Sequence, residues 1–280
     1  MTPYYQDDYV TLYHGDARDV LPLLGRDAAD IVLTDPPYSS GGAYRADRNK
    51  STADKYQHTR ETTRTYAEFS GDNRDQRSFE KWASFWMADA LEITRSGGVL
   101  ACFIDWRNVA CVIDAMQIGG WVYRGLVPWH KGVDQRPRKG WFRHNVEYIV
   151  FGSRGPLLTG ADAPGICADG VIYCRINGTE KLHQTEKPVE LSQEILGVRP
   201  DWRVLLDPFC GSGTSLVAAK NLGRKAIGIE IEEQFCEIAA ERLLQSVLDF
   251  INEWECGRCG ASTPAHLLVC RKCHQPKAAA

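Results

Sequence analysis

An apolar run, Ile31-Val32-Leu33, leads into Thr34-Asp35-Pro36-Pro37-Tyr38. The run reads as a buried strand, and it stops at an acid, two residues with no amide hydrogen, and an aromatic ring. On residue types alone a strand end that turns, as Asp before Pro commonly does, explains it as well as any chemistry does, and the rest of the chain must decide. A second cluster lies far downstream, where Val204-Leu205-Leu206 runs into Asp207-Pro208-Phe209-Cys210-Gly211-Ser212-Gly213-Thr214. Glycines between a strand and a helix let backbone approach a ligand, and the helix N-terminus attracts negative charge. Glu230 ends the next strand, where a nucleotide-fold acid accepts both ribose hydroxyls. Two strand-end acids around one glycine turn suit a nucleoside with an amino-acid tail. A pyrophosphate is less well served, because Asp207 would repel it.

A third cluster is Cys256-Gly257-Arg258-Cys259 with Cys270-Arg271-Lys272-Cys273. Two Cys-x-x-Cys pairs at this separation fit a tetrahedral Zn2+ site of structural type. So short a segment has almost no core, so metal binding would supply its folding energy. The other six cysteines, Cys102, Cys111, Cys167, Cys174, Cys210 and Cys236, read as small core residues.

These clusters need elements to hold them. Residues 10 to 16 and 29 to 35 are strand candidates, each ending in Asp, with a short helical stretch from Asp19 to Leu24 between them. Residues 39 to 77 mix charges without apolar periodicity and read as a mobile loop. From Ser78, an amphipathic helix with Phe79, Trp82, Phe85 and Trp86 on its inner face runs to a stop at Gly97-Gly98. Strands at 99–105, 121–131 and 145–152 follow, with a helix at 106–118. Beyond a glycine-rich stretch come a helix at Pro188–Leu196, the strand before Asp207, a helix at Thr214–Leu222, a strand at Ala226–Ile229 and an acidic helix at 232–250. This alternation predicts an α/β fold, a mostly parallel sheet with helices on both faces.

Net charge is −3, which argues against a simple polyanion binder, but the charge is unevenly placed. Residues 124 to 154 carry seven Lys/Arg against Asp134 and Glu147, interleaved with Trp129, Trp141 and Phe142. Aromatics among Arg and Lys suit contact with bases and backbone together. Lys131, Arg136, Arg138, Lys139 and Arg143 are therefore candidate DNA contacts. Residues 227 to 253 carry seven acids against Arg242 alone. With no long apolar run and no charged-then-apolar leader, the chain reads as intracellular.

Asp35-Pro36-Pro37-Tyr38 followed by Asp207 to Thr214 resembles the catalytic and cofactor motifs of DNA amino-methyltransferases. The order, catalytic motif first, resembles the circularly permuted beta class of that family, with its Rossmann-like methyltransferase fold. Trp129-His130-Lys131, Asn145-Val146-Glu147-Tyr148 and His183-Gln184-Thr185-Glu186-Lys187-Pro188 also match, although the family commonly has Pro where Gln184 stands. The resemblance covers about residues 10 to 250. It implies S-adenosylmethionine as methyl donor and an exocyclic DNA amine, adenine N6, as acceptor. It implies that Asp35, Pro36, Pro37 and Tyr38 are catalytic. Asp207, Gly211, Gly213 and Thr214 would hold the methionine end, Thr185 and Lys187 its carboxylate, and Glu230 the ribose, with Phe209 and Ser212 also at the cofactor. Asp16 is a looser match for the adenine-binding acid, and a plain Gly-Asp turn reads equally well there.

The expected organisation is a methyltransferase domain over 1–253, with a mobile DNA-contacting loop at 39–77 and target recognition in 132–180, and a zinc-knuckle tail over 254–280; the resemblance implies the cytoplasm of a prokaryote, or a phage-encoded protein, as its setting. The expected partner is double-stranded DNA; a second copy of the chain and a cognate restriction endonuclease are open as further partners. Cytosine N4 is the alternative acceptor. RNA or protein glutamine, and a zinc-dependent DNA-binding subunit without activity, are the other classes weighed.

Overall fold

The computed structural model describes residues 1–38, 74–132, 139–161, 163–175, 187–251, 253–256, 259 and 262–264. Most of the 39–77 loop, Arg136, Arg138, Thr185, Cys270 and Cys273 lie outside the described residues.

The strands are β1 (Tyr5–Gln6), β2 (Val10–His14), β3 (Ala29–Thr34), β4 (Thr94–Ile104), β5 (Val122–His130), β6 (Val146–Ser153), β7 (Ile172–Tyr173), β8 (Val204–Asp207) and β9 (Lys225–Glu230). They form one sheet in the order β1-β2-β9-β8-β3-β4-β6-β5-β7. From β2 to β4 every pairing is parallel. The β5–β6 hairpin joins antiparallel to β4, and β1 is antiparallel to β2, so the sheet is mixed at both margins. A two-stranded sheet, β10 (Glu253–Glu255) and β11 (Ser262–Pro264), stands apart.

The helices are α1 (Ala17–Val20), α2 (Gln76–Ile93), α3 (Val109–Ile118), α4 (Val189–Gly197), α5 (Thr214–Asn221) and α6 (Glu233–Ile251). They cover both faces, because the central strands are apolar on both. Ile31 and Leu33 of β3, with Val99, Ala101 and Phe103 of β4, face Leu191 and Ile195 of α4, Leu216 of α5 and Ala239 of α6. Val32, Leu100, Cys102 and Ile104 face the other way, onto Phe79, Trp86 and Met87 of α2 and Val112 and Met116 of α3. This period of two, buried on each side, is what a central parallel strand requires.

Three local expectations change. Helix α2 starts at Gln76, because the Asp75 carboxylate caps it by accepting from the Ser78 amide at 2.9 Å. It ends at Ile93 rather than at the glycines, and Gly97-Gly98 belong to β4. A side chain at Gly98 would sit 2.8 Å from the Asp30 carbonyl, so glycine allows that close approach. On α2, Phe79 and Trp86 are buried as expected, but Phe85 is 43% exposed beneath the Arg18 guanidinium. Of the six scattered cysteines, Cys102, Cys210 and Cys236 are buried, Cys111 and Cys174 are half-buried, and Cys167 is exposed.

At the opposite end of the sheet from the strand-end acids, Asp30 ties three strands together. It accepts from the amides of Arg203 at 2.8 Å and Val204 at 2.7 Å and pairs with Arg95, which also reaches Asp201 at 3.0 Å. Replacing Asp30 with Ala strands these donors, and stability is expected to fall by about 2–3 kcal/mol. The measurement is a lower urea midpoint at unchanged slope.

Candidate active site

Parallel pairing of β3 with β8 puts the two sequence motifs side by side, although they lie far apart in the chain. The contact is direct: the Thr34 hydroxyl donates to Asp207 at 2.7 Å, and both side chains are buried. Asp35, the next residue, leaves the strand end with its carboxylate against the Lys187 ammonium. Pro36 is buried, and Tyr38 is half-buried against the α2–α3 side of the core. The Tyr38 carbonyl accepts from the Asn108 side-chain amide at 2.8 Å, so the residue just before α3 pins the end of the Asp-Pro-Pro-Tyr segment.

The glycine turn follows Asp207. Its carboxylate accepts from the Ser215 hydroxyl and from the Phe209 amide at 3.1 Å, besides Thr34. Burial nevertheless pushes Asp207 up to about 6, with the nearby Asp35 charge adding in the same direction and the hydrogen bonds opposing. Glu230, at the end of β9, accepts from the Gly211 amide at 2.9 Å and the Glu232 amide at 2.9 Å. Burial raises its carboxyl as well.

Two glycines here differ in their reason. Gly213 has φ +79, and a Cβ there would lie 2.9 Å from the Cβ of Ala239, so it admits α6 against the turn. Gly211 has φ +51, and a Cβ there would meet nothing within 4 Å. Open space beside a turn amide and a strand-end acid is what a nucleoside ligand needs, and the residues present therefore fit S-adenosylmethionine. Ser212 and Thr214 are turned toward the protein: Arg242 of α6 donates to the Ser212 carbonyl at 2.7 Å and to both hydroxyls at 3.1 Å. The Phe209 ring also points inward, 5.3 Å from Trp82 and 5.1 Å from Trp86.

At the far side of Glu230, β2 pairs with β9 in parallel, and the Gly15 amide donates to the Glu230 carbonyl at 2.9 Å. Asp16 follows, and its carboxylate caps α1 by accepting from the Arg18 amide at 2.9 Å.

The basic-aromatic stretch divides. Lys131 is turned inward, only 12% exposed, and donates to Glu147 at 2.8 Å. Trp129 is core, edge-on to Phe103, and its indole donates to the Cys174 carbonyl at 2.8 Å. Both side chains are engaged within the protein. Lys139 and Arg143 are exposed, together with Trp141 and Phe142. Nearby, the exposed Trp106 ring stacks on His144 at 5.4 Å.

In the tail, Cys256 and Cys259 occupy the turn between β10 and β11, and the Cys259 amide donates to the Cys256 carbonyl at 3.2 Å. Among the described residues no group of three or more His, Cys, Asp or Glu comes together as a metal site. No helix among them is long and apolar enough to cross a membrane.

Several residues of the site carried no assignment by sequence. Thr34 stands in the opening run without a role, and Ser215 and Asn108 have no motif signal. Glu147 stood in a matching motif without a role. Arg242 had a signal, as the lone cation of an acidic helix, whose partner only the fold supplies.

The N6_N4_Mtase family model, described as DNA methylase, matches residues 29–157 and 171–241. Type II methyltransferase M2.DpnII of Streptococcus pneumoniae is 27% identical over 263 residues, covering 86% of this chain and 92% of that protein. Among solved structures, the M1.HpyAVI–SAM complex matches with a TM-score of 0.59 at 22% identity, over 84% of this chain and 98% of the other. The cytosine-N4-specific PvuII DNA methyltransferase matches with a TM-score of 0.64 at 13% identity, over 89% and 95%. These structures share the fold.

Asp207 yields a pH prediction. Its folded-state value lies above the ordinary carboxylate value of 3.8, so the native state holds the proton more tightly than the unfolded chain does. Its contribution to stability is present below about pH 4 and is lost as pH rises through about 6. Asp207→Asn is expected to flatten unfolding free energy across that window and to weaken S-adenosylmethionine binding. Denaturation at stepped pH, paired with calorimetric titration of the cofactor, checks both.

Proposed function

The chain belongs to the N6_N4_Mtase family of DNA methylases, and from that premise we propose that it methylates the N6 amine of adenine in double-stranded DNA, with S-adenosylmethionine as donor. The observation that carries this reading is the Thr34–Asp207 hydrogen bond, which sets Asp35 beside the glycine turn. S-adenosylmethionine would supply the methyl group, and Asp207, Gly211 and Gly213 would hold its methionine end. Phe209, Ser212 and Thr214 keep that turn in shape from behind. Glu230 would meet the ribose, Asp16 the adenine, and Thr185 and Lys187 the carboxylate.

The exocyclic nitrogen is a weak nucleophile because its lone pair is delocalised into the ring. Two acceptors make it more tetrahedral. The Asp35 carboxylate takes one amine hydrogen, and the Pro36 carbonyl, aimed by the rigid Pro36-Pro37 pair, takes the other. Positioning matters more than proton abstraction here, since Asp is a weak base and the proton can leave after transfer. The base must leave the helix at a cost of a few kcal/mol. Stacking on Tyr38, worth about 1–3 kcal/mol, offsets much of that. Asn108 sets the Tyr38 backbone for this.

The catalytic strand precedes the cofactor strand in the chain, which supports the permuted beta class. We take residues 1–253 as the methyltransferase domain and 132–180 as its target-reading part, with Lys139, Arg143, Trp141 and Phe142 as its exposed face; Arg136 and Arg138 join it by sequence. A restriction-modification setting, a cytoplasmic location and a cognate endonuclease go with the similarity to a type II methyltransferase.

The leading Asp of the motif favours adenine over cytosine N4. Duplex DNA treated with the protein, digested and analysed by mass spectrometry, is expected to contain N6-methyladenine; N4-methylcytosine alone would overturn the assignment. Asp35→Ala is expected to lower kcat by about 10²–10³-fold.

For the tail, we propose that Cys256, Cys259, Cys270 and Cys273 hold a structural Zn2+. The turn that places two of the thiols supports this. Elemental analysis should find about one Zn2+ per chain and none in Cys256→Ser/Cys273→Ser, as a four-thiolate site requires.

A further inference from the structure

Behind Asp35 lies a row of alternating charges. Asp35 holds Lys187; Lys187 reaches Glu147 at 3.5 Å; Glu147 accepts from Lys131 at 2.8 Å. The side chains are 24%, 10%, 18% and 12% exposed in that order. They come from four separate places in the fold: the end of β3, the segment before α4, the start of β6, and the residue after β5.

A row of this kind is costly. Removing charges from water carries a penalty of several kcal/mol per ion, and apolar side chains of the same volume often serve stability as well or better. Stability therefore does not explain why the row ends on the carboxylate that receives the amine hydrogen. Its charges do explain its form. Burial works against the Glu147 carboxylate, yet Lys187 and Lys131 hold it below the usual carboxylate range. Burial also works against the Lys187 ammonium, yet Asp35 and Glu147 hold it above the usual lysine range. The neighbouring acid, Asp105, has its charge met by Arg107, so it does not draw on the lysines.

A lysine is a compact charge on a flexible four-carbon stem, and one contact leaves its direction open. Glu147 on one side and the Phe103 ring, 5.5 Å from the ammonium, on the other restrict it. With Lys187 fixed, the Asp35 carboxylate that it holds is fixed as well.

We propose that Glu147 is a positioning residue for methyl transfer: braced by Lys131, it aims Lys187 at Asp35 and so presents Asp35 in the orientation that receives the target amine. This rests on the reading of Asp35 as the acceptor. It assigns Lys187 a duty beyond any contact with the cofactor carboxylate, and it gives the inward turn of Lys131 a purpose.

The test is steady-state methylation of duplex DNA by the full chain, varying S-adenosylmethionine and DNA in turn. Glu147→Gln keeps the shape and removes the charge. Its kcat is expected to fall about 10–100-fold, the size of effect that slight misplacement of a reacting group produces. KM for DNA should stay within about twofold, because Glu147 itself is placed at no DNA contact. Glu147→Gln/Lys187→Met should be no slower than Lys187→Met alone, since both act through one path. A Glu147→Gln enzyme with wild-type kcat, or a double variant whose losses multiply, would overturn the inference. If Glu147→Gln does not fold, as judged by cofactor binding, Lys131→Met takes its place. It is expected to lower kcat severalfold at unchanged KM for DNA, and an unchanged kcat would overturn the inference. Asp35→Ala run alongside separates the two levels: full activity in that variant removes the reading of Asp35 itself, whereas its loss with Glu147→Gln unimpaired removes only this inference.

Discussion

The hydroxyl of Thr34, buried at the end of the central strand, donates to Asp207 across 173 positions of sequence. The candidate site follows from the parallel pairing of β3 and β8 that makes this bond. Both strands run outward at the same edge of the sheet, so both acids, Asp35 and Asp207, arrive at the same corner with the glycine turn between the sheet and α5. Glu230 arrives there too, because β9 runs parallel to β8. In an open α/β sheet the carboxyl ends of parallel strands are where a crevice forms. The chemistry is placed by topology before any loop is considered.

That corner concentrates negative charge in a dry setting. Asp207 and Glu230 are both raised by burial, and neither has a cation as its main partner; hydroxyls and backbone amides serve them instead. Asp35 and Glu147, by contrast, are matched by lysines. The site thus has a cation-seeking half and a neutralised half. A donor that carries positive charge on both sulfur and nitrogen suits the first, and a neutral base brought against fixed acceptors suits the second.

Much of this was legible in the residues alone. Apolar strands ending in acids, a glycine turn and its following helix are local patterns with local causes, and the sheet with helices on both faces follows from their alternation. What pattern does not reveal is which way a charged side chain at a strand end turns. Lys131 reads as a surface cation because it sits among Arg and Lys. It faces inward because the antiparallel register of β5 with β6 brings Glu147 opposite Trp129, within its reach. Trp129 likewise reads as a stacking ring and proves to be core. The start of α2 shifted for a smaller reason: Asp75 and Ser78 are both capping types, and only the backbone decides between them.

Arg242 is bonded to the glycine turn at Ser212 and Thr214, yet it belongs to the acidic helix α6. Synthesis therefore meets the parts of the site in a set order. Asp35 leaves the ribosome early, the turn at Gly211 to Gly213 later, and the side chain that holds the turn later still. A nascent chain that already has its sheet centre still lacks the brace on its donor site. Full assembly of the candidate site waits on α6.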